Sequence, residues 1–240
     1  LPMMELVRMG QKAENNFVGM NCGIMDQFAV GFGMKDHAIS LNCDTLEYKY
    51  APVNLGNSRL IITNTNKRRG LTDSKYNERR AECEKAVELI SGHHLIRNLS
   101  DLSVSDLWML EKYIDDVVVR KRAKHVITEN GRTIDAIRAL EENDIDRFGQ
   151  LMNESHDSLS NDYEVTGTEL DTLVYEGRKL PGVTGTRMTG AGFGGCTVSI
   201  VESSHADNFM KLLGEVYHEK TGLTADFYLP GIGDGARRIG

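Results

Sequence analysis

Several features that mark common protein classes are absent from this 240-residue sequence. No uninterrupted apolar run approaches the roughly 20 residues that span a bilayer, and the N-terminus lacks a charged region followed by a signal-like apolar core. The four cysteines are scattered without a Cys-x-x-Cys pair, which disfavours both a disulfide scaffold and a zinc site. We therefore expect a globular protein of the reducing cytoplasm that has no membrane partner.

The sequence also lacks an excess of positive charge. Its formal net charge is -7 at pH 7, which disfavours non-specific binding to nucleic acid, so we expect no nucleic-acid partner. With 40% hydrophobic and 26% charged residues, the chain can bury a substantial core in one large or two modest domains. It contains no internal repeat and no low-complexity segment.

The most distinctive stretch that is present is residues 187–196. Its small residues, which let the backbone approach another group closely, are Gly190, Ala191, Gly192, Gly194 and Gly195. Residues 197–201 then alternate like a half-buried strand, and this order of loop and strand argues against a dinucleotide-binding fingerprint. The Gly-Lys-Ser/Thr of a P-loop is also missing. The stretch is either a loop whose backbone binds or supports a phosphate, or a tight turn before an edge strand.

A second informative segment, residues 13–28, joins two helix-like patterns through a loop rich in Asn and Gly. Glu14 precedes the loop. Asp26 falls in the first turn of the following helix, where the helix dipole and free N–H groups favour an ionised carboxylate. Such a carboxylate can accept or orient a hydroxyl proton. On spacing alone, an ordinary first-turn acid is the simpler interpretation of Asp26.

The remaining patterns predict an α+β fold with a largely antiparallel sheet covered by helices. The predicted strands are residues 37–41, 46–53, 59–65, 183–188, 197–201 and 224–229, and the longer predicted helices are residues 72–91, 119–142, 168–178 and 205–217. The turn-rich residues 54–58 predict a boundary, which gives domains of residues 1–57 and 58–240.

Two further groups of residues have simple structural interpretations. The charge run of residues 120–122, with Lys124, predicts the solvated face of a helix. His156 lies on the apolar stripe of another helix, which is more typical of an interior histidine with satisfied hydrogen bonds than of a catalytic residue.

Taken together, these segments resemble the galactokinase branch of the GHMP small-molecule kinases, a superfamily that also includes homoserine, mevalonate and phosphomevalonate kinases. Residues 14–27 resemble that family's sugar and metal segment, and residues 190–196 resemble its third, glycine-rich motif. Further matching blocks are residues 63–68, 74–80, 153–159 and 233–237. The blocks follow the family's order through essentially the whole chain, so the resemblance is far more specific than any one of them.

The resemblance implies transfer of a phosphoryl group from ATP to the anomeric hydroxyl of galactose, with Mg²⁺. By this resemblance, Asp26 orients or deprotonates the sugar hydroxyl. Gly23 offers a backbone contact to the sugar, and Tyr76 hydrogen-bonds the sugar. The same resemblance assigns Glu14 to Mg²⁺ and Arg68 to the stabilisation of the charged centre.

The resemblance also implies a fold. Residues 1–57 would be the remainder of the GHMP kinase N-terminal domain, and residues 58–240 a ferredoxin-like C-terminal domain with extra helices. Residues 190–195 would pack beside the nucleotide loop and support it.

Two of the family's parts do not occur in the sequence, namely its opening sugar segment and its Ser-rich nucleotide loop. With the unusual start Leu1-Pro2, this implies the C-terminal part of a longer enzyme, inactive as it stands. Residues 1–57 would then expose an apolar face that invites self-association. Two alternatives stay open: a non-catalytic galactose and ATP sensor on the same fold, and a kinase for a related sugar such as N-acetylgalactosamine.

Overall fold

A computed structural model describes residues 1–19, 22–67 and 72–238. The chain forms two compact units. Unit 1 comprises Leu1–Asn54, Leu140–Asn143 and Gly231–Gly240, and unit 2 comprises Leu55–Ala139 and Asp144–Pro230. The assignment of residues 1–57 and 58–240 to two family domains stays a prediction.

In the part of unit 1 that the structure describes, the chain forms two short helices and a two-stranded antiparallel sheet. Its elements are α1 (Met3–Ala13), a π-helical turn (Glu14–Val18), α2 (Met25–Phe32), β1 (His37–Leu41) and β2 (Tyr48–Pro52). The strands pair from His37 opposite Pro52 to Leu41 opposite Tyr48. Both predicted strands are therefore present, the second of them shorter than its pattern because its pairing with β1 ends at Tyr48.

The core of unit 1 is small. Val7, Ile24 and Phe28 are buried, and partly buried side chains from α1, α2 and β1 pack against them. The end of the chain returns to this unit, where the Gly235 N–H donates to the Gly33 carbonyl at 2.8 Å. A Cβ on Gly235 would lie 2.6 Å from the Gly33 nitrogen, so the contact requires glycine.

The described residues between 58 and 228 form four strands and six α-helices. They are β3 (Ser58–Asn64), α3 (Thr72–Ser91), α4 (Trp108–Tyr113), α5 (Val117–Glu141), α6 (Ile145–Ser158), α7 (Thr168–Gly177), β4 (Val183–Thr189), β5 (Cys196–Glu202), α8 (Ala206–Thr221) and β6 (Asp226–Tyr228). Short 3-10 turns lie at Leu99–Asp101 and Val104–Asp106, and a π-helical turn lies at Leu159–Tyr163.

The four strands form one sheet in the order β4-β5-β3-β6, and every neighbouring pair is antiparallel. Helices separate β3 from β4, and α8 separates β5 from β6. This is the βαββαβ topology of the ferredoxin-like fold, with α3 to α6 as additional helices before α7. The predicted α+β fold with a ferredoxin-like domain and extra helices is confirmed.

Helices α7 and α8 cover one part of this sheet. Phe209, Leu213 and Tyr217 of α8 are buried in one cluster with Ile61 of β3 and Val201 of β5. The apolar positions of α8 recur every three to four residues, which places them on a single helical face. A second cluster joins α3, α4 and α5. Of the described helices, none is both long enough and apolar enough to cross a membrane.

Candidate functional site

The predicted sugar and metal residues of unit 1 lie at the two ends of one loop. Glu14, which is half-buried, begins the π-helical turn that continues α1. The Asn15 side-chain oxygen accepts the Cys22 N–H at 3.0 Å and the Cys22 thiol at 3.3 Å. Gln11 of α1 donates to the Cys22 carbonyl at 3.4 Å. These bonds hold the segment that leads to Gly23 beside the segment that follows Glu14.

Gly23 and Asp26 are exposed. Asp26 lies in the first turn of α2, as predicted, where unpaired backbone N–H groups favour a negative charge. A Cβ on Gly23 would meet no heavy atom within 4 Å, so its backbone is accessible. Within the described residues, neither Asp26 nor Glu14 has a side-chain hydrogen bond or ion pair. Among the described residues, nothing therefore competes with a substrate hydroxyl or a cation for either carboxylate.

Unit 2 contains a cavity of about 320 Å³ between four segments that are distant in sequence. Its lining residues are Tyr76, Arg79, Arg80, Cys83, Val126, Leu159, Tyr163, Val165, Gly190, Ala191 and Phe193. The walls are α3, the segment of residues 159–165, the glycine-rich loop of residues 190–195, and α5 at Val126. The structure thus brings Tyr76 together with Gly190 and Ala191, which belong to two separate predicted motifs.

The glycine-rich loop joins β4 to β5. Because β5 lies between β4 and β3, the alternative of a tight turn before an edge strand is wrong. Gly192 has φ +84°, and a Cβ there would lie 2.1 Å from the Val165 carbonyl oxygen. The Phe193 N–H donates to that same oxygen at 2.7 Å. The close backbone approach predicted for this segment is therefore to Val165.

Gly190 and Gly194 are less crowded than Gly192, and a Cβ on Gly190 would meet no heavy atom within 4 Å. A Cβ on Gly194 would make only ordinary contacts, the nearest at 3.5 Å to the Lys67 carbonyl. The Gly195 carbonyl accepts hydrogen bonds from the Thr65 N–H at 2.9 Å and from its hydroxyl at 2.8 Å. The end of the loop is thereby fixed to the end of β3.

Three titratable groups line or back the cavity in uncharged form. The Cys83 sulfur lies 3.8 Å from the Tyr163 hydroxyl, and burial raises the pKa of both groups. The His125 ring stacks on Tyr163 with centroids 4.5 Å apart. Burial lowers the pKa of His125 to about 4, and its Nδ1 hydrogen-bonds the Ser158 hydroxyl at 3.0 Å. These three groups therefore carry no charge near neutral pH.

The predicted solvated face of residues 120–122 and Lys124 is wrong for Arg122, whose side chain is only 2% exposed. Arg122 points toward α3 and the π-helical turn at Leu159–Tyr163, whereas Lys124 remains exposed. The sequence does contain a signal for this burial, because Val119, Arg122 and Val126 follow the i, i+3, i+7 spacing of one helical face.

The prediction for His156 is confirmed. Its ring is fully buried, its Nε2 lies 3.1 Å from an Asp171 carboxylate oxygen, and its Nδ1 accepts the Met188 N–H at 3.2 Å. Arg68, predicted to stabilise the charged centre, lies outside the described residues. The part of the chain that the structure describes has no cluster of three or more His, Cys, Asp or Glu side chains arranged to hold a metal ion.

Comparison with known sequences points in one direction. A family model described as "GHMP kinases C terminal" matches residues 136–219. The galactokinase of Fusobacterium nucleatum is 54% identical over 238 residues, which cover 99% of this chain and 61% of that protein. The galactokinase of Clostridium acetobutylicum is 52% identical over 237 residues, with the same coverage of 99% and 61%. The chain therefore spans about three fifths of the length of these curated relatives.

Comparison with solved structures agrees. The crystal structure of Lactococcus lactis galactokinase complexed with galactose matches with a TM-score of 0.96 and 46% identity, covering 100% of this chain and 62% of that one. The mevalonate kinase of L. major in complex with R-mevalonate matches with a TM-score of 0.57 and 18% identity, covering 96% and 59%. This second likeness concerns the fold alone.

Proposed function

Because this chain belongs to the galactokinase family of the GHMP kinases, we propose that the whole protein transfers the γ-phosphoryl group of ATP to the anomeric hydroxyl of galactose. The observation that carries the proposal is the unit 2 cavity, which joins Tyr76 to Gly190 and Ala191. These residues come from the predicted sugar-binding and nucleotide-supporting motifs. Galactokinases at about half identity support the same activity.

Phosphoryl transfer requires positioning of the nucleophile and stabilisation of phosphate charge more than covalent chemistry by the protein. Asp26 would accept a hydrogen bond from the anomeric hydroxyl and take up its proton, since its carboxylate is exposed and has no partner among the described residues. The accessible Gly23 backbone and the Tyr76 hydroxyl would orient the sugar. Residues 190–195 would support the nucleotide-binding loop, and Arg68 would stabilise the charge that develops at the phosphate.

Glu14 would hold Mg²⁺. A carboxylate is the hard oxygen ligand that Mg²⁺ prefers, and one or two carboxylates with substrate phosphates usually complete such a site. When bound, the ion would neutralise charge on the phosphates of ATP. Glu14→Gln should raise the Mg²⁺ concentration needed for half-maximal turnover about tenfold and leave galactose binding unchanged. An unaltered magnesium titration would remove Glu14 from the metal site.

The activity test is an assay of the whole protein with ATP and Mg²⁺, with galactose and N-acetylgalactosamine in parallel. We expect turnover of galactose. Binding of galactose and ATP without turnover would instead identify a sensor, and preference for N-acetylgalactosamine would identify a kinase for a related sugar.

Tyr76→Phe tests the sugar contact. Loss of one hydrogen bond should lower kcat/KM for galactose about three- to tenfold. Tyr163→Phe, in the same cavity, is the matched control, because the Tyr163 hydroxyl faces Cys83 and should not change sugar affinity. Equal effects of the two variants would contradict the role of Tyr76.

Three further parts of the proposal concern the molecule as a whole. The protein would work in the cytoplasm, where its four cysteines would be kept reduced. The 240-residue chain alone should show no measurable kinase activity, because its sequence contains no Ser-rich nucleotide loop and an unanchored triphosphate cannot be held in line with the sugar hydroxyl. Incubation of the chain with ATP, Mg²⁺ and galactose tests this. The 240-residue chain should also self-associate through unit 1.

A further inference from the structure

We propose that Arg122 is a positioning residue that holds three walls of the unit 2 cavity, namely α3, residues 159–165 and the glycine-rich loop, in one arrangement relative to its own helix α5. This proposal depends on the proposed function only for the identity of the ligands that the cavity binds. Arg122 does not line the cavity and belongs to none of the motifs that resemble the kinase family. Its role is to join the segments that carry those motifs.

Arg122 lies on α5 with its guanidinium buried, and its three donating nitrogens reach three partners. Nε donates to the Glu82 carboxylate at 3.0 Å. Nη1 donates to the Asp162 carbonyl at 2.6 Å. Nη2 donates to the Glu164 carboxylate at 2.8 Å. A planar guanidinium presents donors in a fixed fork, so all three bonds form only when the partners occupy one relative position.

Each partner belongs to a wall of the cavity or adjoins one. Glu82 lies on α3 next to Cys83, and it also accepts a hydrogen bond from Arg79 at 2.6 Å. Both Arg79 and Cys83 line the cavity, and Tyr76 lies one to two turns earlier on the same helix. Through Glu82, Arg122 therefore fixes the wall that presents Tyr76.

The other two partners fix the second wall. Asp162 lies in the π-helical turn at Leu159–Tyr163. Leu159 and Tyr163, at the two ends of this turn, line the cavity. Glu164 follows with φ +55°, in the left-handed region that L-residues adopt reluctantly. Its ion pair with Arg122 stabilises that conformation. The backbone direction at Glu164 determines where the next residue, Val165, points.

Val165 connects the second wall to the third. Its carbonyl accepts the Phe193 N–H at 2.7 Å and leaves room for Gly192 only because that residue has no Cβ. A shift of Val165 would therefore move the glycine-rich loop. Displacement of a positioning group by about 1 Å can lower the rate of an enzyme about a hundredfold.

The test uses Arg122→Lys in the whole protein, because lysine keeps the charge and loses the fork. We expect kcat for galactose to fall at least about tenfold. Amide hydrogen exchange of Phe193 should accelerate at least about tenfold, while that of Ile200 in β5 stays unchanged. Lys121→Met is the matched control: Lys121 contacts the same Glu164 carboxylate at 3.4 Å and should alter neither value.

Unchanged kcat and Phe193 exchange in Arg122→Lys would overturn the proposal. So would equal acceleration at Phe193 and Ile200, which is the result of a general loss of stability.

If Arg122→Lys does not fold, Glu164→Gln replaces it, because this half-exposed carboxylate can lose its charge without loss of shape. A several-fold acceleration at Phe193 supports the proposal, and no change refutes it. An inactive wild-type protein would refute the proposed function, and the exchange measurements would still test the coupling.

Discussion

In unit 1, the predicted site residues Gly23 and Asp26 are exposed, and the described contacts of the fold do not involve their side chains. In unit 2, by contrast, Gly192 of the predicted loop touches the Val165 carbonyl so closely that no other residue fits. In unit 1, the predicted site residues do not take part in the packing that stabilises the fold. In unit 2, a predicted site residue does. A change at the site should therefore cost activity alone in the first case, and both activity and stability in the second.

The two units also differ in how much apolar surface they bury. The four-stranded sheet of unit 2 packs against helices that form several buried clusters. Unit 1 buries Val7, Ile24 and Phe28 around a two-stranded sheet, and such a sheet contributes little independent stability. Among the described residues, unit 1 nonetheless exposes at least as many large apolar side chains as the longer unit 2.

The largest expected effect comes from a change at Asp26, which tests whether activity in unit 1 can be lost without loss of stability. Asp26→Asn in the whole protein keeps the shape and removes the charge, so kcat should fall by about two to four orders of magnitude. The melting temperature should stay within about 1 °C, because the side chain is exposed and has no described partner. Near-normal turnover would remove Asp26 from the mechanism, and a large loss of stability would break the comparison.

A matched pair of glycines tests this role of a predicted site residue in the packing of unit 2. Gly190 and Gly192 have φ of +81° and +84°, but only at Gly192 would a Cβ meet another atom. Gly190→Ala should cost about 1 kcal/mol of unfolding free energy for its backbone conformation. Gly192→Ala should cost about 1 to 3 kcal/mol more, because the Val165 segment must move. Urea denaturation of both variants measures the difference, and equal losses would show that the contact at Val165 adjusts without cost.

The third prediction concerns pH and unit 2. The pKa of buried His125 is about 4 in the folded protein, against 6.5 for an ordinary histidine. Between these values the unfolded chain binds a proton that the folded chain does not, so stability falls as the pH falls from 6.5 to 4. The full difference corresponds to about 3 kcal/mol. His125→Gln should flatten this dependence in chemical denaturation at pH 4.5 and 7, and an unchanged slope would assign it to other groups.

The smallest effect concerns self-association of the 240-residue chain. Phe17 in unit 1 and Leu95 in unit 2 are both highly exposed. If association involves the apolar side chains of unit 1, Phe17→Ser should weaken it several-fold in sedimentation velocity, because the aromatic surface no longer becomes buried. Leu95→Ser should have no effect. A chain that remains monomeric at high concentration, or equal effects of both variants, would count against association through unit 1.

The local elements of this protein were largely predictable from its sequence. Helix α3 begins at Thr72 and ends at Ser91, as its pattern predicts, because helical periodicity and capping involve residues only three or four positions apart. The first-turn position of Asp26 was predictable for the same reason. Strand β6 is shorter than predicted, since it spans only the three residues that pair with Ile62, Thr63 and Asn64 of β3.

Local patterns thus determined the α+β class and the positions of most helices and strands, and the order of the motifs resembles that of the kinase family. Only the tertiary structure placed β5 inside the sheet, returned Gly235 to Gly33, and turned Arg122 away from solvent. These features depend on partners 40 to 202 positions away in the chain. Local patterns record which face of an element is apolar, whereas the partner that covers that face is selected when distant segments pack together.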